Sequence, residues 1–181
     1  MNAAVVEVRE PRAVWLDQVS ARWHEVLDDP SLRDLPYKVE TNRAAQLTMS
    51  PAKNVHAFYR GRVAAMLERL LGGHVFAECS FGTPEGVKVP DVAWCSEAFL
   101  SRHAFADPYD VAPEICVEIK SPSNAESELQ LKVRLHLDAG AREVWLVDAA
   151  GGVRVYGPDG LRVASSFDVD VTAVAFSPSE G

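Results

Sequence analysis

The stretch from Pro113 to Asp148 constrains the fold most. PEICVEIK is short, β-branched and alternating. An amphipathic segment of helical spacing follows it, and then a second apolar run, EVWLVD. Strand, helix, strand in this order places two strands in one sheet with a helix packed on it. Ser121-Pro122-Ser123 opens the helix. Ser123 and Glu126 have capping-box spacing, and Gly140 suits the stop after about Ala139.

The rest of the chain adds compatible parts. Residues 13–28 hold Val14, Trp15, Val19, Trp23, Val26 and Leu27 at helical spacing, and residues 37–49 give two short strands, YKVE and QLTM, turning at Asn42-Arg43. Ser50-Pro51 reads as N-cap and first position of a helix over 52–71, which Gly72-Gly73 ends. Residues 74–81 and 87–94 read as a hairpin around Thr83-Pro84-Glu85-Gly86, and 95–112 as loop with a short helical piece. VRVYG and LRVASS form a final hairpin around Pro158-Asp159-Gly160, and the chain frays from about Ser177. The expectation is an α/β (α+β) domain, a mixed central sheet flanked by helices. A helical extension over 1–36 precedes a core over 37–160, and a strand and tail over 161–181 follow it.

Composition narrows the class. The chain has 181 residues, of which 48% are apolar and 24% charged, values of a folded single domain rather than a disordered chain. No apolar run approaches the roughly 20 residues of a membrane helix, and Met1 to Arg12 lack the pattern of a secretory signal. Cys79, Cys95 and Cys116 are odd in number and lack metal-ligand spacing, so free thiols in a reducing cytoplasm are expected. The net charge of −8 opposes non-specific nucleic-acid binding, although an acidic metal site would contribute to it.

The chemistry concentrates on PEICVEIK. Ile115, Val117 and Ile119 point to one face, and Cys116, Glu118 and Lys120 to the other. Burying unpaired charges costs several kcal/mol per ion, so Glu118 and Lys120 either pair with each other at an exposed edge or line a cleft and hold a metal. Asp91 adds a second carboxylate. It follows Pro90, which removes a ladder donor and marks an edge or irregular stretch. Two hard oxygen ligands on neighbouring strands suit Mg²⁺, or Mn²⁺, with waters and substrate phosphates completing the shell. A nearby lysine can stabilise charge developing on phosphate, which makes a phosphodiester hydrolysis site possible.

Pro90-Asp91, followed 27 residues after the aspartate by Glu118-Ile119-Lys120, resembles the PD-(D/E)XK nuclease signature. Around it, Met49-Ser50-Pro51 with His56, then VKVPDVAW, PEICVEIKSPSN, Lys132 and AGAREVWLVD resemble the Uma-type restriction-endonuclease family. These blocks keep family order from about Glu40 to Gly160, two-thirds of the chain. The resemblance implies the PD-(D/E)XK fold, Asp91 and Glu118 as metal ligands, and Lys120 as the catalytic lysine. Many relatives instead carry a lysine in the following helix, where Lys132 stands. This chain has both, and strand geometry favours Lys120. The position of His136 is often tyrosine in relatives, and no role is carried onto it.

Other residues are open to two readings. Glu78 is a third carboxylate of the cluster or a solvated strand charge. Glu40 approaches the metal or is an exposed hairpin charge. His56 contacts substrate or holds its loop. Lys53, Arg60, Arg62 and Arg69 against Glu68 give the helix over 52–71 an excess of three positive charges, one wall of a nucleic-acid groove or a mixed solvated face. Trp94 and Trp145 read as core, and Glu143, Asp148 and Asp159 as turn or strand-end charges. The function expected from the resemblance is a Mg²⁺-dependent DNA endonuclease acting as a homodimer. A non-catalytic binding module on the same fold is the alternative.

Overall fold

The computed structural model describes residues 12–51, 53–121 and 124–175. Its centre is a six-stranded sheet. The strands are β3 (His74–Phe76), β6 (Val92–Cys95), β7 (Ile115–Ile119), β8 (Glu143–Val147), β9 (Val153–Gly157) and β10 (Gly160–Arg162). Across the sheet the order is β10-β9-β8-β7-β6-β3. Only β7 and β8 run parallel among these pairs, and helix α4 (Glu126–Asp138) connects them. A parallel neighbour requires a crossover, and the strand–helix–strand reading of residues 113–148 supplies it.

The alternation read from PEICVEIK organises both faces. Ile115, Val117 and Ile119 pack with Val92, Trp94, Trp145 and Val147 against Tyr59, Val63, Met66 and Leu67 of α2 (Asn54–Leu71). On the other face Cys116, Ala93, Val144 and Leu146 pack against Leu129 and Val133 of α4 and Phe99 of α3 (Glu97–His103). The sheet is thus covered by helices on both sides, and both tryptophans lie in the core as expected. Residues 171–174, expected as part of a strand and tail, form a short 3-10 helix beside α2, and its carbonyls at Ala173, Val174 and Ala175 accept from Arg62. The last six residues, including the expected fraying from Ser177, lie outside the described residues.

Two smaller ribbons complete the fold. β1 (Tyr37–Thr41) pairs with β2 (Leu47–Pro51), and β4 (Phe81–Thr83) pairs with β5 (Gly86–Lys88). Helix α1 (Arg12–Asp28) packs Trp23 and Val26 on Val87 and Val89, so the N-terminal helix covers the second ribbon. β1 docks on β5 through side chains, with Val87 N–H donating to Thr41 Oγ1 at 2.8 Å and Lys88 Nζ to the Thr41 carbonyl at 2.7 Å. Gly86 permits this approach. Its φ is +90°, and a Cβ there would stand 2.5 Å from the Thr41 carbonyl oxygen.

Four expectations are corrected. Ser50 and Pro51 do not start α2; they pair with Lys38 and Tyr37 in β2, and the helix begins at Asn54 without a side-chain cap. The strands expected over 74–81 and 87–94 are each divided. Glu78 takes a left-handed φ of 64° and Pro90 cannot donate, so one part of each strand joins the main sheet and the other forms the β4–β5 ribbon. The capping box also fails. Ser123 lies outside the described residues, Ala125 is the N-cap, and Glu126 is the first residue of α4. Glu143 is fully buried rather than a strand-end charge, because it accepts hydrogen bonds from Trp145 Nε1 at 2.9 Å, Ser165 Oγ at 2.7 Å and the Ser166 N–H, and pairs with Arg162 at 3.1 Å.

Candidate active site

β6 and β7 bring the two carboxylates together. Val92 pairs with Val117, and the next position in that register sets Asp91 beside Glu118. Both side chains are buried, at 2% and 3% exposure for the two residues. Each has one oxygen fixed by the protein. Asp91 Oδ2 accepts from the Ile119 backbone N–H at 2.8 Å, which closes the ladder where Pro90 leaves it irregular. Glu118 Oε1 lies 2.9 Å from His136 Nε2 on α4. The remaining oxygens converge on one cation, the Lys38 ammonium, 2.7 Å from Asp91 Oδ1 and 3.6 Å from Glu118 Oε2.

Further charges surround this pair. Lys132 Nζ lies 3.3 Å from Glu118 Oε2 and 3.3 Å from Glu40 Oε1. Of the two readings of Glu40 the exposed hairpin charge fails: it is buried at 8% exposure, and its Oε1 also accepts from Val89 N–H at 3.0 Å and so ties β1 to the strand that leads to Asp91. Arg60 bridges Glu78, at 2.8 Å, and Asp91, at 3.8 Å. Four carboxylates against three cations leave this cluster with one net negative charge.

The electrostatics follow from burial and pairing. Burial raises the Glu118 pKa, but Lys132, Lys38 and His136 outweigh it and set the pKa well below the usual carboxylate range. Burial likewise disfavours the Lys132 and Lys38 ammonium groups. The carboxylates prevail, Glu118 foremost, and both pKa values rise above the ordinary lysine value. His56 behaves oppositely. Burial lowers its pKa, the nearby Asp91 offsets this in part, and Lys38, Lys53 and Arg60 lower it further. Its Nε2 has no hydrogen-bond partner among the described residues.

One cleft of about 130 Å³ is lined by Lys38, Lys53, His56, Glu78, Asp91, Glu118, Ile119 and Lys132. Lys120 is not in its lining. Expected to point into the cleft with Glu118, it instead follows the end of β7, stands about one-third exposed and reaches Glu126 at 3.5 Å. The cations that one reading placed in a basic wall on α2 are dispersed as well. Arg60 serves the acidic cluster, Lys53 donates to Ser121 Oγ at 2.7 Å, and Arg62 holds the C-terminal 3-10 turn.

Two residues of the site were missed in the sequence, and both had a signal. Lys38 alternates with Glu40 on β1 and so shares its face. His136 lies one helical turn beyond Lys132 on α4.

The donor set fits a hard divalent cation. Asp91 Oδ1 and Glu118 Oε2 already share a positive charge, and their opposite oxygens are anchored. Among the described residues no group of three or more His, Cys, Asp or Glu side chains could hold a metal. A two-carboxylate site of this kind suits Mg²⁺, which keeps several waters, better than a metal that needs a full set of protein ligands.

Comparison with known proteins agrees with this architecture. A crystal structure of a "putative nuclease belonging to DUF820" from Anabaena variabilis superposes with a TM-score of 0.61 at 17% identity, covering 75% of this chain and 88% of that one. It has the same fold. No curated protein matches the sequence. The family model Uma2, described as "Putative restriction endonuclease", matches residues 31–173. That span takes in the β1–β2 hairpin, both carboxylate strands and α4, and the chain belongs to this family.

Proposed function

We propose that this protein is a Mg²⁺- or Mn²⁺-dependent endonuclease that hydrolyses phosphodiester bonds of DNA. The observation that carries the reading is the convergence of Asp91 Oδ1 and Glu118 Oε2 on one cation position, with Lys132 at its side. A divalent ion held by these two carboxylates would supply Lewis acidity and ease the ionisation of water. In hydrolysis a water oxygen bonds to phosphorus as an ester P–O bond breaks, and the leaving oxygen takes a proton. Lys132 stays protonated among its carboxylates, so it stabilises developing negative charge rather than removing a proton. Neutral His56 lines the cleft, and its Nε2, buried and without a hydrogen-bond partner among the described residues, is the candidate proton acceptor. Lys132 takes the role that the family resemblance gives to Lys120.

The cleft admits a phosphate and an ion rather than a whole duplex, so DNA must lie across its mouth. Cutting both strands would suit a two-fold homodimer. The β9–β10 hairpin is the candidate interface, since Leu161 and Val163 are exposed there. Three buried free thiols support a reducing, cytoplasmic setting. Among the described residues no helix is long and apolar enough to cross a membrane.

The test is cleavage of supercoiled plasmid with Mg²⁺ or Mn²⁺. The wild type is expected to nick or linearise it. EDTA and Asp91→Asn abolish cutting, and Lys132→Met lowers the rate by roughly 10²–10³-fold. Absence of cleavage on duplex, single-stranded and branched DNA, together with absence of metal binding, overturns the reading and favours a binding module on the same fold.

A further inference from the structure

Lys38 has an unusual position for a residue of a catalytic cleft. Its ammonium lies between the two candidate metal ligands, at 2.7 and 3.6 Å from the oxygens that face the cleft, and its side chain is only 10% exposed. The other cations of the cluster each reach only one of these two oxygens. Lys132 bridges Glu118 and Glu40, and Arg60 bridges Asp91 and Glu78. An ion bound to both Asp91 Oδ1 and Glu118 Oε2 would lie close to Nζ, and two positive centres so close repel strongly in a buried site.

We infer that Lys38 and the divalent cation compete for the Asp91–Glu118 pair, so that metal binding displaces the Lys38 ammonium. This rests on the metal-centre reading above. The backbone need not move. Glu40 and Thr41 fix β1 to Val87 and Val89, whereas the lysine stem is long and flexible. Lys38 thereby neutralises two buried carboxylates while no metal is present, and it weakens the apparent metal affinity by the fraction of molecules in which it occupies the site.

Two measurements test this on the full chain. In the first, Mn²⁺ binding is titrated by electron paramagnetic resonance for the wild type, Lys38→Met and Asp91→Asn. Lys38→Met is expected to bind about tenfold tighter or more, and Asp91→Asn to lose binding. Equal or weaker binding by Lys38→Met, with wild-type binding intact, overturns the competition and leaves the metal centre standing. No Mn²⁺ binding by either protein removes the metal centre and the competition with it. In the second, wild-type lysines are acetylated with and without Mg²⁺ and read by peptide mass spectrometry, which decides the matter even if Lys38→Met does not fold. Lys38 is expected to be protected without metal and labelled several-fold faster with it, while Lys120 is unchanged. Continued protection of Lys38 at saturating metal overturns the inference.

Discussion

Replacing Lys132 by methionine separates the two candidate lysines by stability as well as by rate. Methionine keeps most of the stem and removes the charge. Lys132 Nζ contacts Glu118 and Glu40, whose side chains are 4% and 11% exposed, so the variant leaves two buried carboxylates short of a partner. Removing one member of a buried pair costs about 3–5 kcal/mol. Lys132 is itself 17% exposed and Lys38 still neutralises Glu118 in part, so we expect about 3 kcal/mol, the lower end of that range. For a domain of this size that corresponds to a fall of roughly 6–12 °C in the unfolding midpoint. Lys120→Met removes only a solvent-exposed contact with Glu126 and should leave the midpoint unchanged. The assay is thermal unfolding by circular dichroism at neutral pH, repeated in urea, beside the plasmid cleavage rate. An unchanged midpoint for Lys132→Met, or cleavage lost in Lys120→Met and kept in Lys132→Met, would refute the assignment.

Two further predictions concern the rest of the fold. Glu143→Ala strands the donors of Trp145, Ser165 and Ser166 and should cost about 3 kcal/mol in urea unfolding. Burial would raise the Glu143 pKa, but these hydrogen bonds lower it overall, so its contribution is present at neutral pH. That contribution fades as the pH falls below the ordinary carboxylate range, and the gap between wild type and variant should narrow in acid; a gap that widens there would contradict the sign. The three thiols should resist Ellman's reagent at pH 8 in the native protein and all react in urea. Each is buried, and burial with Glu114 and Glu97 nearby pushes Cys95 up to about 11. Rapid native labelling would contradict their place in the core.

How much was legible in the sequence depended on whether the cause was local. The alternation of PEICVEIK assigned both sheet faces correctly, because side-chain direction in a strand is a local property. The crossover helix was legible for the same reason. Where Ser50-Pro51 belonged was not, since local capping preference lost to the ladder that Lys38 and Tyr37 extend through them. The division of the strands at Glu78 and Pro90 followed the same logic, with tertiary pairing overriding a continuous apolar pattern. At the site, Asp91 and Glu118 were legible as carboxylates on neighbouring strands, and the family resemblance strengthened their pairing. The companions of this pair come from β1 and α4, far away in sequence. Lys120 was expected in the cleft from its alternation with Glu118, but β7 ends at Ile119 and the Lys120 side chain reaches Glu126 instead.

The anchoring of Asp91 has a consequence for how such a domain can change over time. Its Oδ2 stands in for a missing ladder acceptor opposite Ile119, while Oδ1 faces the cation. One side chain thus holds a seam of the sheet and faces the proposed metal position. A lineage released from selection for cutting would still be penalised for discarding this aspartate, because folding would suffer first. Decay of activity should therefore begin elsewhere, at residues such as His56, whose Nε2 has no hydrogen-bond partner among the described residues. A descendant could keep an intact acidic pair long after it had ceased to cut.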